Sequence, residues 1–109
     1  MLIDFKAIET TETPNMLGGE GTILMHRHLD ELGKIMTVTV KPGCSIGAHT
    51  HTTSYEVCYC LSGHAKFICE GVEERMAPGL AHYCPKGQNH TCINDTNEDY
   101  VMLCVVPNC

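Results

Sequence analysis

The chain is broken into short apolar runs, and the breaks constrain its fold more than anything else in it. "KIMTVTV" alternates and stops at "KPG"; "YEVCYCLSG", "HAKFICEG", "VEERMAPG", "LAHYCPKG", "HTCIN" and "DYVMLCVVP" follow. The breaks fall about every ten residues, which is the spacing of short strands joined by tight turns. No segment holds a 3.6-residue apolar repeat through three turns, so long amphipathic helices are excluded. The expected class is all-β and antiparallel, a sandwich or barrel. "CEGV" predicts a hairpin turn centred on Glu70–Gly71, and "NDTNED" a polar loop. "HLDEL", residues 28–32, is the one helix-like piece, and it is very short. The first forty residues are less regular. There "GGEGTILMHRHL" reads as a Gly-rich loop and then a strand, which should pack on the main sheet or on a partner subunit. With no repeat and no linker, one domain over residues 1–109 is expected.

Charge narrows the partners. Seven basic and 13 acidic residues give a net charge of −6, with no basic run or stripe. Nucleic acid and anionic membrane are therefore poor partners. No apolar run approaches the roughly 18 residues that a membrane helix needs. The start, "MLIDFKAIETTETPN", carries Asp4 and lacks the apolar stretch of a secretion signal, so the expected compartment is the cytoplasm. Eight cysteines suggest at first a disulfide scaffold. Several sit within apolar runs such as "FIC" and "VMLCVV", where a thiol serves as a small hydrophobe. Reduced cysteines are the expectation.

The residues that carry chemistry lie in "HTHTTSYEVCYC", His49 to Cys60. Residues i and i+2 of a strand share a face, so His49 and His51 point together. Glu56 follows across "TTSY", a turn-like stretch, and can return on the next strand toward them. His90 in "CPKGQNHTCIN" is the best fourth partner, after a tight turn shaped by Pro85 and Gly87. Alone, H-x-H also describes two polar residues on a solvated face. The frame around it is more specific. From Gly43 the chain reads G-x5-H-x-H-x4-E-x6-G, ending at Gly63; from Gly79 it reads G-x5-P-x-G-x2-H-x3-N, ending at Asn94.

These two stretches resemble both signature motifs of the cupin superfamily. Gly43, His49, His51, Glu56 and Gly63 match the first; Gly79, Pro85, Gly87, His90 and Asn94 match the second. The spacer, residues 64–78, has the short length of small single-domain microbial cupins. The resemblance implies a six- to eight-stranded antiparallel jelly-roll β-barrel with one divalent transition metal ion (Mn, Fe, Ni, Zn or Cu) held inside by His49, His51, Glu56 and His90. Four protein donors would leave coordination positions for a small molecule with adjacent oxygens. Asn94 is expected to cap a turn rather than touch metal.

Parity extends the reading. If Glu56 faces inward, so do Cys58 and Cys60, and Cys92 shares the face of His90. They are expected either as small apolar filling or as soft thiol donors. His82 and Tyr83 are the candidates for a catalytic base, with a core-edge or surface position as the alternative for His82. A second H-x-H, His26 and His28, has no frame around it. His64 is expected at the surface, and Met25, Met36, Met76 and Met102 in the core. Tyr55, Val57 and Tyr59, like residues 100–106, are too apolar for open solvent, which suggests cover by the N-terminal strand or a homodimer. The favoured function is a small metal-dependent enzyme of dioxygenase, isomerase or decarboxylase type acting on an oxygen-rich small molecule. The alternatives are a sugar- or metabolite-binding module and a vestigial or storage barrel.

Overall fold

The computed structural model describes residues 1–109. Ten strands form two antiparallel sheets: β1 (Thr11–Pro14), β2 (Thr22–Asp30), β3 (Gly33–Val40), β4 (Ser45–Thr50), β5 (Glu56–Ser62), β6 (Ala65–Cys69), β7 (Val72–Met76), β8 (Ala81–Cys84), β9 (Asn89–Ile93) and β10 (Tyr100–Pro107). The six-stranded sheet runs β1-β2-β3-β10-β5-β8 and the four-stranded sheet β4-β9-β6-β7. The chain repeatedly switches sheets, as a jelly roll does, and the core lies between them. No helix is long and apolar enough to cross a membrane.

The core follows from alternation. On β10, Tyr100, Met102, Cys104 and Val106 are buried, while the residues between them are partly exposed. Met25, Met36, Met76 and Met102 are all buried, where an unbranched thioether fills irregular space. All eight cysteines are free, and five of them are buried among aliphatic neighbours.

The strand expected in "GGEGTILMHRHL" is β2, and it pairs with β3 in the main sheet; a further short strand before it was not expected. β1 lies on the edge of β2, from Thr11 opposite Met25 to Pro14 opposite Thr22. The helix-like "HLDEL" is instead the end of β2 and the turn into β3. Five residues cannot offset the cost of helix nucleation, whereas a hairpin gives His28, Leu29 and Asp30 ladder partners on β3 and leaves Glu31 and Leu32 as the turn. The turn at Glu70–Gly71 is present, with φ of 47° and 79°, the pair of positive values a two-residue hairpin turn requires.

A turn of 3-10 helix at Met16–Gly18 lies flat across β4. Two glycines permit this approach: a Cβ on Gly47 would strike the Leu17 carbonyl, and one on Gly19 the Ser45 carbonyl. Met16 and Leu17 are thereby brought over the mouth of a cavity of about 100 Å³ between the sheets.

Candidate metal centre

Three strands and one loop deliver the four clustered polar residues of that cavity's wall. His49 is on β4 and His90 directly opposite on β9. Strict alternation from buried Ile46 would turn His49 outward. The register shift between Ile46 and His49 inserts one extra residue, a bulge that re-aims His49 inward. His51 lies just past β4 and is clamped to the β8–β9 turn: its N–H donates to Gln88 O at 3.2 Å, and Gly87 N–H donates to His51 O at 2.6 Å. Gly87 holds φ of 89°, so the turn closes there without strain. Glu56 opens β5 and is 7% exposed.

The four side chains converge. His90 Nε2 is 3.0 Å from His51 Nε2, 3.1 Å from His49 Nε2 and 3.0 Å from Glu56 Oε1. His51 Nε2 is 3.2 Å from the same oxygen. One ligand atom from each of the four lies within 4.8 Å of all the others, an arrangement that can hold a metal ion. Adjacent donors at right angles around an ion bound at about 2.1 Å stand about 3.0 Å apart, and tetrahedral ones about 3.4 Å. The four short spacings, 3.0–3.2 Å, lie at or near the right-angled value, an arrangement that would leave further coordination positions open.

The other imidazole nitrogens fix the tautomers. His49 Nδ1–H donates to Gly47 O at 2.8 Å, and His51 Nδ1 lies 3.0 Å from Ser54 Oγ. His90 Nδ1 is 3.0 Å from His82 Nε2, and His82 Nδ1 is 2.7 Å from Glu74 Oε1. A donor chain from His90 to His82 to Glu74 turns every Nε2 lone pair of the three cluster histidines toward a common point. Such partners fix ligand orientation in metal sites. His82 is 2% exposed and stacked on Phe67 with ring centroids 4.2 Å apart.

Electrostatics suit a cation. Burial opposes ionisation of Glu56, but close contact with the His51 and His90 rings outweighs it and holds the carboxyl down at about 2. Burial lowers the pKa of His49 and His82, keeping both neutral below the usual imidazole range. Below the cluster, a hydrogen bond with Cys104, and then burial, push the Cys58 thiol well up.

Alternation along β8 places His82 inward, behind His90, and Tyr83 on the outer face, 58% exposed, with its ring edge-on to Tyr55. Neither lines the cavity. Cys58 and Cys92 do line it, together with Cys104, while Cys60 points inward nearer the far end and donates to Gly63 O at 3.4 Å. Asn94 is fully buried and holds a turn, donating to Val40 O and Glu98 O. His26 anchors the N-terminal segment through Ile8 O at 2.8 Å, and His28 pairs with Asp30. His64 is exposed. Two residues of the site carried no sequence signal. Glu74 sits in "VEER", indistinguishable from a solvated strand face, and Lys34, on β3, is the single Lys or Arg lining the cavity.

The comparisons agree with this architecture. The family model described as "Cupin domain" matches residues 36–106. The chain belongs to the cupin family. A curated relative, "Oxalate-binding protein" of Thermotoga maritima, is 26% identical over 112 residues, covering 97% of this chain and 93% of that one. The crystal structure of a predicted oxalate decarboxylase from Thermotoga maritima superposes with a TM-score of 0.93 at 25% identity, covering all of both chains. An RmlC-like cupin from Shewanella frigidimarina superposes at 0.82 with 11% identity, over 99% of this chain and 90% of that one, a likeness of fold.

Proposed function

We propose that this cupin holds one divalent first-row transition ion on His49, His51, Glu56 and His90 and uses it to bind a small oxygen-rich carboxylate. The observation that carries the reading is the convergence of four donors on the wall of a cavity of about 100 Å³. That volume suits a ligand of a few heavy atoms. The ion supplies Lewis acidity and a template for two neighbouring oxygens. The protein's own residues supply the rest. Glu74 and His82 hold the His90 ring. Lys34 offers the one cationic side chain at the cavity wall and favours an anion. Met16 and Leu17 shield the mouth from water. The T. maritima relative named as oxalate-binding aligns with this chain over 93% of its own length, which supports a small carboxylate as the ligand class.

Binding without turnover is favoured over catalysis by one feature. Apart from the four donors and Lys34, the lining is apolar or thiol. His82 is committed to His90, and Tyr83 faces outward, so no free imidazole or phenol stands ready as a base. The enzymatic reading, of decarboxylase, dioxygenase or isomerase type, requires Lys34 or a cavity thiol to move a proton.

The test combines elemental analysis of tag-free protein with calorimetric titration of oxalate and related dicarboxylates. Binding should require metal and weaken in Lys34→Met. No binding by the loaded protein to any small carboxylate overturns the reading. Carbon dioxide release under the same conditions selects the enzyme.

We also infer a homodimer. Val57, Tyr59 and Leu61 on β5, Val101, Leu103 and Val105 on β10 and Tyr83 on β8 form one continuous outer face, with Tyr59 43%, Leu61 48% and Tyr83 58% exposed. Sheet-to-sheet association buries this face. Light scattering at micromolar concentration should give twice the chain mass.

A further inference from the structure

We propose that Cys58, Cys104 and Glu56 form a second metal site directly beneath the three histidines, for a thiophilic divalent ion of the zinc and cadmium class. Cys58 on β5 and Cys104 on β10 stand directly opposite each other across the ladder. Both side chains are buried, at 1% and 0% exposure. Their Sγ atoms and a carboxylate oxygen of Glu56 all lie within 4.8 Å of one another. Two sulfurs bound at about 2.3 Å to one ion can stand at most about 4.6 Å apart, so at the outer limit of the observed spacing a small side-chain rotation closes the site.

Two of the other three buried thiols show a contrast, while Cys92, beside the pair, also has no backbone acceptor. Cys60 donates to Gly63 O at 3.4 Å, and Cys84 to Gln88 O at 3.6 Å; these are thiols satisfied by backbone. Cys58 and Cys104 have no backbone acceptor. They face each other and a carboxylate, and both line the cavity that an ion would enter, with Cys92 beside them. A small hydrophobe would fill either position, but two thiols facing each other beside a carboxylate also form a donor set.

Donor type and charge set the ion. Thiolates select soft or borderline cations, while three imidazoles and a carboxylate accept a wide range. Two thiolates and Glu56 bring three negative charges. A divalent ion leaves one uncompensated and a monovalent ion leaves two, and the apolar walls penalise the larger excess. On binding, each thiol loses its proton to solvent and forms one S–metal bond; nothing is oxidised or reduced. Glu56 can serve both sites, since Oε1 faces His51 and His90 and its second oxygen remains.

The inference shares only Glu56 with the histidine site and stands without it. Full-length, metal-free, reduced protein is loaded with 113Cd(II), without oxygen and with a non-thiol reductant. Proton–cadmium correlation spectra of the unmodified chain then identify the donors. Correlations to the β protons of both Cys58 and Cys104 are expected, with two cadmium ions per chain. His49→Ala/His90→Ala should retain one ion and both thiol correlations, and Cys58→Ala/Cys104→Ala should lose one ion and keep the histidine-ring correlations. Failure of the histidine reading shows as missing ring correlations with the thiol ones intact. Cadmium correlated only with histidines, or only with cysteines outside the cavity such as Cys69 and Cys109, overturns the proposal.

Discussion

His82 Nε2 lies 3.0 Å from His90 Nδ1, and the same imidazole reaches Glu74 Oε1 at 2.7 Å with its other nitrogen. A residue outside the cavity thus fixes the orientation of one that forms its wall. His82→Phe keeps the ring and its stacking on Phe67 but removes the acceptor. We expect metal affinity to fall about 10- to 100-fold, read by competition with a chromophoric chelator. Glu74→Gln should do less, because the Glu74 side chain is 52% exposed and water can substitute. An unchanged affinity in His82→Phe would make the chain of contacts purely structural.

Stability without metal should fall on acidification, and the sign is the same for three groups. His49 and His82 have folded pKa values below their ordinary 6.5, so the unfolded chain takes up protons first as pH drops through that value. Glu56 has about 2 when folded against an ordinary 4.5, so it acts in the same direction between those limits. Its contribution, present above pH 4.5 and lost toward pH 2, is on the order of 3 kcal/mol. Urea unfolding of metal-free protein at pH 7.5, 5.5 and 4 (about one pH unit or more apart, to span these windows) should show a monotonic decline. Metal binding should fail over the same interval, since protons compete for the donors.

Tyr100 Oη is buried and has no hydrogen-bond partner. Removing an unpartnered hydroxyl removes its desolvation penalty. Tyr100→Phe should therefore raise stability by about 1 kcal/mol, measured as a higher urea midpoint at unchanged slope. A clear loss of stability would reveal a partner for that hydroxyl.

Gly47 lies in the bulge that turns His49 inward, and a Cβ there would strike the Leu17 carbonyl. Gly47→Ala should destabilise by about 1–3 kcal/mol. It should also weaken metal binding, because the same shift displaces the carbonyl that holds His49 Nδ1. Stability loss with intact metal affinity would separate the strap from the site.

Denaturing alkylation without prior reduction should modify eight thiols, as every cysteine is free. Fewer would signal an oxidised pair, and Cys58 with Cys104 is the pair the ladder sets face to face.

Much of this was legible along the chain because local rules govern it. Alternation set the inward parity of Glu56, Cys58 and Cys60, and the Gly and Pro breaks set the Glu70–Gly71 turn; the strand count was not legible, since ten strands form where six to eight were expected, the short β1 and β4 having no apolar run to announce them. The spacing of His49, His51, Glu56 and His90 within their glycine frame named the four residues that the fold gathers. Three features had no local signature. The bulge at Gly47–Ala48 depends on the pairing of β4 with β9, strands more than forty residues apart. Glu74 and Lys34 look like any charged strand residue until the two sheets close and bring one beneath His82 and the other to the cavity wall.

The order of residues by itself determined which side chains alternate inward and where the backbone must turn, since these follow from the two-residue period of a strand and the conformational freedom of glycine. Only the tertiary structure decided which inward residues meet. Contact across sheets depends on register, and a single inserted residue reverses a side chain's direction.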